Sequence, residues 1–221
     1  MNNVKTPDII HMDNHVMVVR KPAGILVQGD KTGDETLLDQ CRLYLKERFN
    51  KPGNVFLGLV HRIDRPVSGV MVFARTSKAA GRLVTQFRTR EVEKKYWALV
   101  QGKVQESALL VDRISRHGPT SHIARNSEGQ NAELFYRRLR WQDGISWVEI
   151  DLHTGRHHQI RVQFSQRGHA VIGDFRYGSK HKFPERSLAL HARKITFEHP
   201  VLKEPMTFTA EPEEYWPAAF R

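Results

Sequence analysis

Short blocks of apolar residues recur along this 221-residue chain, and their spacing switches between two and about 3.6 residues. Residues 9–12 and 16–20 are apolar runs across Asp13-Asn14, which predicts two strands and a turn. Pro22 and Gly24 interrupt, and the pattern resumes as a strand at 25–27. Leu37, Leu38, Cys41, Leu45 and Phe49 fall at helical spacing, so 36–49 is a predicted helix that ends at Pro52-Gly53. Residues 55–60 and 70–74 are short and Val-rich, as buried strands are. A second helix is predicted from Thr76 to about Arg90, with Leu83, Val84 and Phe87 on its apolar side. Strand spacing returns at 92–100, where alternation sends Tyr96 and Trp97 to opposite faces. Residues 132–141 and 145–152 form a predicted strand pair, because Asp143-Gly144 is a strong hairpin signal. Between 102 and 130 only Leu109-Leu110-Val111 suggests a strand; the rest is polar, basic and rich in turn residues. After the strand ending near 152 the chain turns at Gly155 and enters a predicted helix running to Gln166. That helix puts His157 and Arg161, four apart, on one face. Residues 168–174 read as turn, strand, turn, and 188–197 as further apolar runs. Residues 211–220 read as a short helix or tail.

Charge narrows the partners. The chain has 35 Lys and Arg against 24 Asp and Glu, a formal net charge of +11. A polyanion, most simply nucleic acid, is the leading expectation, and a solvated basic surface is the alternative. One cysteine excludes an intrachain disulfide framework, and Cys41 on a Leu-rich pattern reads as a buried structural thiol. The N-terminus lacks the apolar run of a signal peptide, and no stretch approaches the ~18 apolar residues of a membrane span. A soluble, cytoplasmic protein is therefore expected.

Chemistry concentrates in two stretches. In His61-Arg62-Ile63-Asp64-Arg65-Pro66-Val67-Ser68-Gly69 a single acid sits between two arginines, in a loop between two predicted core strands. An acid among fixed positive charges suits a nucleophile or base more than a general acid. Read by itself, such an Asp is equally a turn former or an ion-pair partner. The second stretch is His153-Thr154-Gly155-Arg156-His157-His158-Gln159-Ile160-Arg161-Val162, a basic helix start suited to an anion. Lys21, before the Pro-Gly turn, reaches a phosphate on one reading and is an exposed turn lysine on the other. Residues 113–125 are an RNA-facing loop on one reading and a surface insertion on the other. The twelve histidines show no metal-ligand spacing. No nucleophile elbow and no Walker or Rossmann glycine pattern is present.

Taken in order, these stretches resemble the RluA-type pseudouridine synthases. Residues 61–69 resemble the signature usually written HRLDxxTSG, and Gly155 to Val162 is similar to GRTHQIRV. Lys21-Pro22-Ala23-Gly24, Lys94-Lys95-Tyr96 with Ala98, Gly168-His169, Gly173-Asp174, Tyr177-Gly178 and Leu190-His191-Ala192 continue the resemblance over residues 8–210. It implies an α/β (α+β type) fold: a mixed, largely antiparallel sheet with flanking helices and a central basic catalytic cleft. It implies a single catalytic domain over 1–221, with no separate N-terminal RNA-binding domain. The implied activity is isomerisation of uridine to pseudouridine within ribosomal or transfer RNA, without cofactor or metal, by a monomer. Asp64 matches the family's catalytic aspartate, Arg161 the arginine that pairs with it, and Tyr96 the active-site tyrosine. Lys21, Arg62, Arg65, Arg156 and His158 are the expected RNA-binding residues, with Arg62 filling the gap that the flipped base leaves. Ile63, Val67 and His157 depart from the family's usual Leu, Thr and Thr. None of the three departures falls on the acid, Tyr96 or Arg161.

Overall fold

The computed structural model describes residues 6–124 and 128–220. Its elements are β1 (Asp8–Met12), β2 (Val16–Lys21), α1 (Leu37–Arg48), β3 (Gly58–Leu59), β4 (Ser68–Ala74) and α2 (Ser77–Thr89). β5 (Glu93–Gln101), β6 (Ser107–His117), β7 (Thr120–Ile123), β8 (Gln130–Gln142) and β9 (Ile145–Leu152) follow. The chain then forms α3 (Gln159–Gln166), β10 (Leu190–Glu198) and β11 (Pro205–Thr209), with short 3-10 turns between and after them. The result is α/β, with largely antiparallel strands and few helices.

The chain divides into two compact units, residues 1–92 with 194–210 and residues 93–193 with 211–221. In the first unit β1, β2 and β4 pair antiparallel, β3 adds to β4, and β10 pairs with β11. Val16, Val18, Val70, Val72, Leu83, Ile195 and Phe197 form its core. Each such side chain contributes about 1.5–3 kcal/mol by leaving water. Both helices of this unit start where threonine stands ready as a cap. The hydroxyl of Thr36 accepts from the N–H of Asp39, and that of Thr76 from the N–H of Ala79. Cys41 is fully buried on α1, and burial pushes its thiol up to about 12, so it is an inert packing residue. In the second unit β5, β9, β8, β6 and β7 pair in that order, all antiparallel. The β8–β9 turn has positive φ at Asp143 (52°) and Gly144 (76°), as a two-residue hairpin turn needs.

Five local expectations change, the strand expected within 168–174 being reduced to one isolated bridge from Val171 to Val100. Residues 25–27 form no strand; Leu26 makes one isolated bridge, to Thr36. Of 55–60 only Gly58–Leu59 is strand. Residues 113–123, expected as an irregular loop, belong to the β6–β7 hairpin, turning at Gly118-Pro119, while Arg125 lies outside the described residues. Only Leu110 and Ile114 of β6 are buried, so half of this strand faces solvent and carries polar residues that read as loop. Finally, α3 starts at Gln159, not before His157. His158 is its cap, in the left-handed region with φ 55°, so His157 and Arg161 share no helical face.

Candidate active site

The Asp64 loop is fastened to the first unit from both sides. Upstream, Nε2 of His61 accepts a hydrogen bond from the N–H of Val72 at 3.1 Å, and its ring stacks on Phe87 at 4.7 Å. Accepting at Nε2 leaves Nδ1 to carry the proton. Ile63 and Val67, one before and three after the acid, are buried. The N–H of Val67 donates to the carbonyl of Asp64 at 3.1 Å and closes the turn. Asp64 itself is half-buried, on a loop whose neighbours are pinned in the core.

Lys21 supplies the strongest clamp. It is fully buried, where both sequence readings placed it in water. Its Nζ donates to the carbonyls of Pro22 (2.9 Å), Ile25 (2.8 Å) and Arg65 (3.0 Å). An ammonium has three donors, so this buried charge is solvated by backbone. In this position the ammonium holds the 22–25 turn against the Asp64 loop, and it is screened from any phosphate. Gly24, at φ 89°, takes the conformation that lets its N–H reach the Arg65 carbonyl at 2.8 Å. Arg65 answers with Nε to the Gly24 carbonyl at 2.8 Å, and it pairs with Asp34 at 2.8 Å. Arg65 is thus exposed but engaged; Arg62 is exposed.

Tyr96 and Arg161 lie in the second unit. Tyr96 is buried on β5 opposite Ile150 of β9, and the neighbouring Trp97 points to the other face, as alternation required. Arg161 is buried on α3. Its Nε and Nη2 both donate to Asp174, at 2.6 and 3.0 Å. The guanidinium also lies over the ring of Tyr177, 5.0 Å from its centroid. Tyr177 links the neighbourhood: its hydroxyl accepts from the N–H of Ser121 and bonds Nδ1 of His158, both at 2.8 Å. Burial pushes that hydroxyl above the usual tyrosine range, despite the opposing charges of Arg161 and Arg176. The His158 ring stacks on His157 at 3.7 Å, and Nδ1 of His157 meets Ser121 Oγ at 2.9 Å. Arg156 is tied by Nε to the carbonyl of Asn131 at 2.9 Å.

Gln159, Asp174 and Tyr177 are the positioning residues to which sequence reasoning gave no role. Buried Gln159 accepts from Thr154 Oγ1 (2.8 Å) and from the N–H of Arg156 (3.0 Å), and donates to the carbonyl of Glu133 (3.1 Å). It therefore staples the 154–156 turn to β8. All three stood inside the resembling motifs, which was the available signal. Among the described residues no group of three His, Cys, Asp or Glu side chains is placed to hold a metal ion. Nor, among them, is any helix long and apolar enough to cross a membrane.

Comparison with known proteins identifies the family. The sequence model described as RNA pseudouridylate synthase matches residues 15–166. The ribosomal large subunit pseudouridine synthase D of Yersinia pestis is 32% identical over 88% of this chain and 63% of its own length. The ribosomal large subunit pseudouridine synthase C of Vibrio vulnificus is 33% identical over 91% of this chain and 64% of its own. The chain thus spans less than two thirds of the length of these two relatives. An uncharacterized RNA pseudouridine synthase of Aquifex aeolicus is 34% identical over 96% of this chain and 72% of its own length. Among solved structures, human RNA pseudouridylate synthase domain containing 4 superposes with a TM-score of 0.79 at 25% identity, covering 95% of this chain and 90% of that one. The chain belongs to the RNA pseudouridylate synthase family.

Proposed function

We propose that this protein isomerises uridines in structured RNA to pseudouridine, with ribosomal RNA as the first substrate class to test and transfer RNA as the second. One observation carries this reading: the 15–166 family match encloses Asp64, Tyr96 and Arg161 together, each at its motif position. The names of the large-subunit relatives favour ribosomal RNA. In the reaction the bond from uracil nitrogen 1 to the ribose breaks and the base rotates. Carbon 5 then joins the sugar and gives up its proton, and nitrogen 1, freed from the ribose, takes one up, so that the product is an isomer of the substrate. A stacked uridine cannot reach an enzyme side chain, so the nucleotide is flipped out at a cost of a few kcal/mol. A basic surface and aromatic stacking offset that cost. Asp64 is the catalytic aspartate, presented on its clamped loop. Tyr96 packs on the flipped uracil, and Arg161 is the counterpart of the arginine that pairs with the aspartate.

The test is tritium release from RNA labelled at uracil carbon 5, using unmodified ribosomal and transfer RNA pools, with wild type beside Asp64→Asn. Release by wild type alone supports the reading and assigns the pool. Equal release by both proteins removes Asp64 from the chemistry. No release from either pool, with RNA binding retained, would favour a catalytically silent RNA-binding module or a substrate outside both pools.

A further inference from the structure

Away from the family motifs, the far end of β8 in the second unit carries a groove of about 610 Å³. Lys103, Arg137, Arg138 and Arg140 line it, against one carboxylate, Glu106. Trp141 also lines it and is 48% exposed, an unusual place for so large an apolar ring. A bulge builds this arrangement. In a regular strand Arg137 and Arg140, three apart, would face opposite sides. The β8–β9 register shifts between Arg138 and Arg140, so that Arg137 stands opposite Glu149 and Arg140 opposite Trp147. Those partners are two residues apart on β9, hence on one face. The extra residue therefore puts both arginines on one side, two strand steps or about 6.7 Å apart. That is about the separation of neighbouring phosphates along a nucleic acid strand.

The cations are partly engaged but not neutralised. Arg137 is 3.7 Å from Glu149, and Arg138 is 3.9 Å from the exposed Glu106. Arg138 also donates to the carbonyl of Val104, and Arg140 to that of Ala219 at 3.1 Å. The ammonium of Lys103 lies over the Trp141 ring, 4.9 Å from its centroid. Four cations against one lining acid, beside an exposed ring, is the combination that binds single-stranded nucleic acid: charge follows the backbone and a base stacks.

We propose that this groove is an accessory RNA site that holds a single-stranded segment around the edge of β8 beyond its pairing with β6, with Arg137 and Arg140 on successive phosphates on one face and Trp141, opposite Ser146 and so on the other face, as the stacking surface. The inference rests on the reading of RNA as substrate, and it adds a contact that none of the assigned residues makes.

The probe is a fluorescein-labelled 12-nucleotide single-stranded RNA. Its anisotropy is followed from 50 to 200 mM KCl for wild type, Arg137→Gln/Arg140→Gln, Arg137→Lys/Arg140→Lys and Trp141→Ala. Each phosphate contact on a single strand contributes about −0.7 to the slope of log affinity against log salt. The Gln pair is expected to bind more weakly with a slope shallower by about 1.4, and the Lys pair to regain most of the slope. Trp141→Ala is expected to weaken binding roughly tenfold with the slope unchanged. Unaltered affinity and slope in the Gln pair would overturn the proposal. So would poly-glutamate displacing the RNA as well as unlabelled RNA does, which would make the groove an acidic-peptide site. Tritium release by wild type is measured separately. Turnover with groove-independent binding sinks only the accessory site, and groove-dependent binding without turnover sinks only the activity.

Discussion

Replacing Lys21 with methionine tests whether the clamp on the Asp64 loop is what holds it. The change keeps an unbranched apolar stem and removes the ammonium. Three carbonyls then lose their donor, those of Pro22, Ile25 and Arg65. The Arg65 carbonyl keeps the N–H of Gly24, so its loss counts least. A hydrogen bond to a charged group is worth about 1.5–3 kcal/mol net of desolvation. Two such bonds at the low end give about 3 kcal/mol, a large part of the stability of a small unit. The assay must see the right unit. All four tryptophans, at 97, 141, 147 and 216, lie in the second unit, so their fluorescence is no direct probe of this one. Hydrogen exchange of the buried β2 and β4 amides, such as those of Val18 and Val72, reads it directly. Their opening free energy is expected to fall by about 3 kcal/mol. Turnover is expected to fall roughly 10–100-fold as the Asp64 loop loosens, the scale set by a misplacement of about 1 Å. Amide stability within about 0.5 kcal/mol of wild type, the range of an ordinary surface change, would refute the reasoning.

Two further outcomes follow from buried charge. Asp174→Asn takes a bidentate carboxylate partner from Arg161, in a pair whose side chains are 6% and 1% exposed. Breaking such a pair costs about 3–5 kcal/mol, and here tryptophan fluorescence during urea unfolding is the suitable measurement; an unchanged midpoint would count against it. Asp13 is the second case. Burial raises its carboxyl, but the N–H groups of His15 and Val16, a bond from His11 and the charge of His199 outweigh burial and hold it below its usual value. A lowered folded value means that its stabilisation is complete above the unfolded value, about 3.9, and is lost as pH falls through the folded value. Amide exchange in the first unit between pH 6 and pH 3 should therefore show wild type losing more stability than Asp13→Asn, and parallel curves would sink the assignment.

What the sequence made legible was local. The two long helices announced themselves through apolar spacing, and the β8–β9 hairpin through Asp143-Gly144. Each of these signals lies within a few residues of the structure it specifies. The β6–β7 hairpin was missed because its alternation is diluted: Leu109 and Val111 face outward while Leu110 and Ile114 face inward. Leu109, Leu110 and Val111 read as a short run, and the mostly polar residues beyond, Ile114 among them, read as loop. β11 was missed because Pro205–Thr209 has few apolar positions and is held by pairing with β10 rather than by its own pattern.

The candidate site divides along the same line. Asp64, Tyr96 and Arg161 were found because they stand in motifs, whose order along the chain can be read without coordinates. Their supports could not be read in this way. Lys21 meets Arg65 across 44 residues, and Arg161 meets Asp174 across 13. A lysine before Pro-Gly is exposed in most local contexts; here it is buried because three carbonyls converge on one point, a property of the folded turn and not of the tetrapeptide. His158 misled in the opposite sense. Its place before an amphipathic run suggested helix, yet its φ of 55° makes it the cap and turns its ring onto His157 and Tyr177. A left-handed residue other than glycine costs roughly 1–2 kcal/mol. The stacking contact and the Tyr177 hydrogen bond, which replace the ordinary side-chain cap, are of the size needed to offset that cost. The chain thus spends local stability at the start of α3 to fix the direction of the residues leading into Arg161.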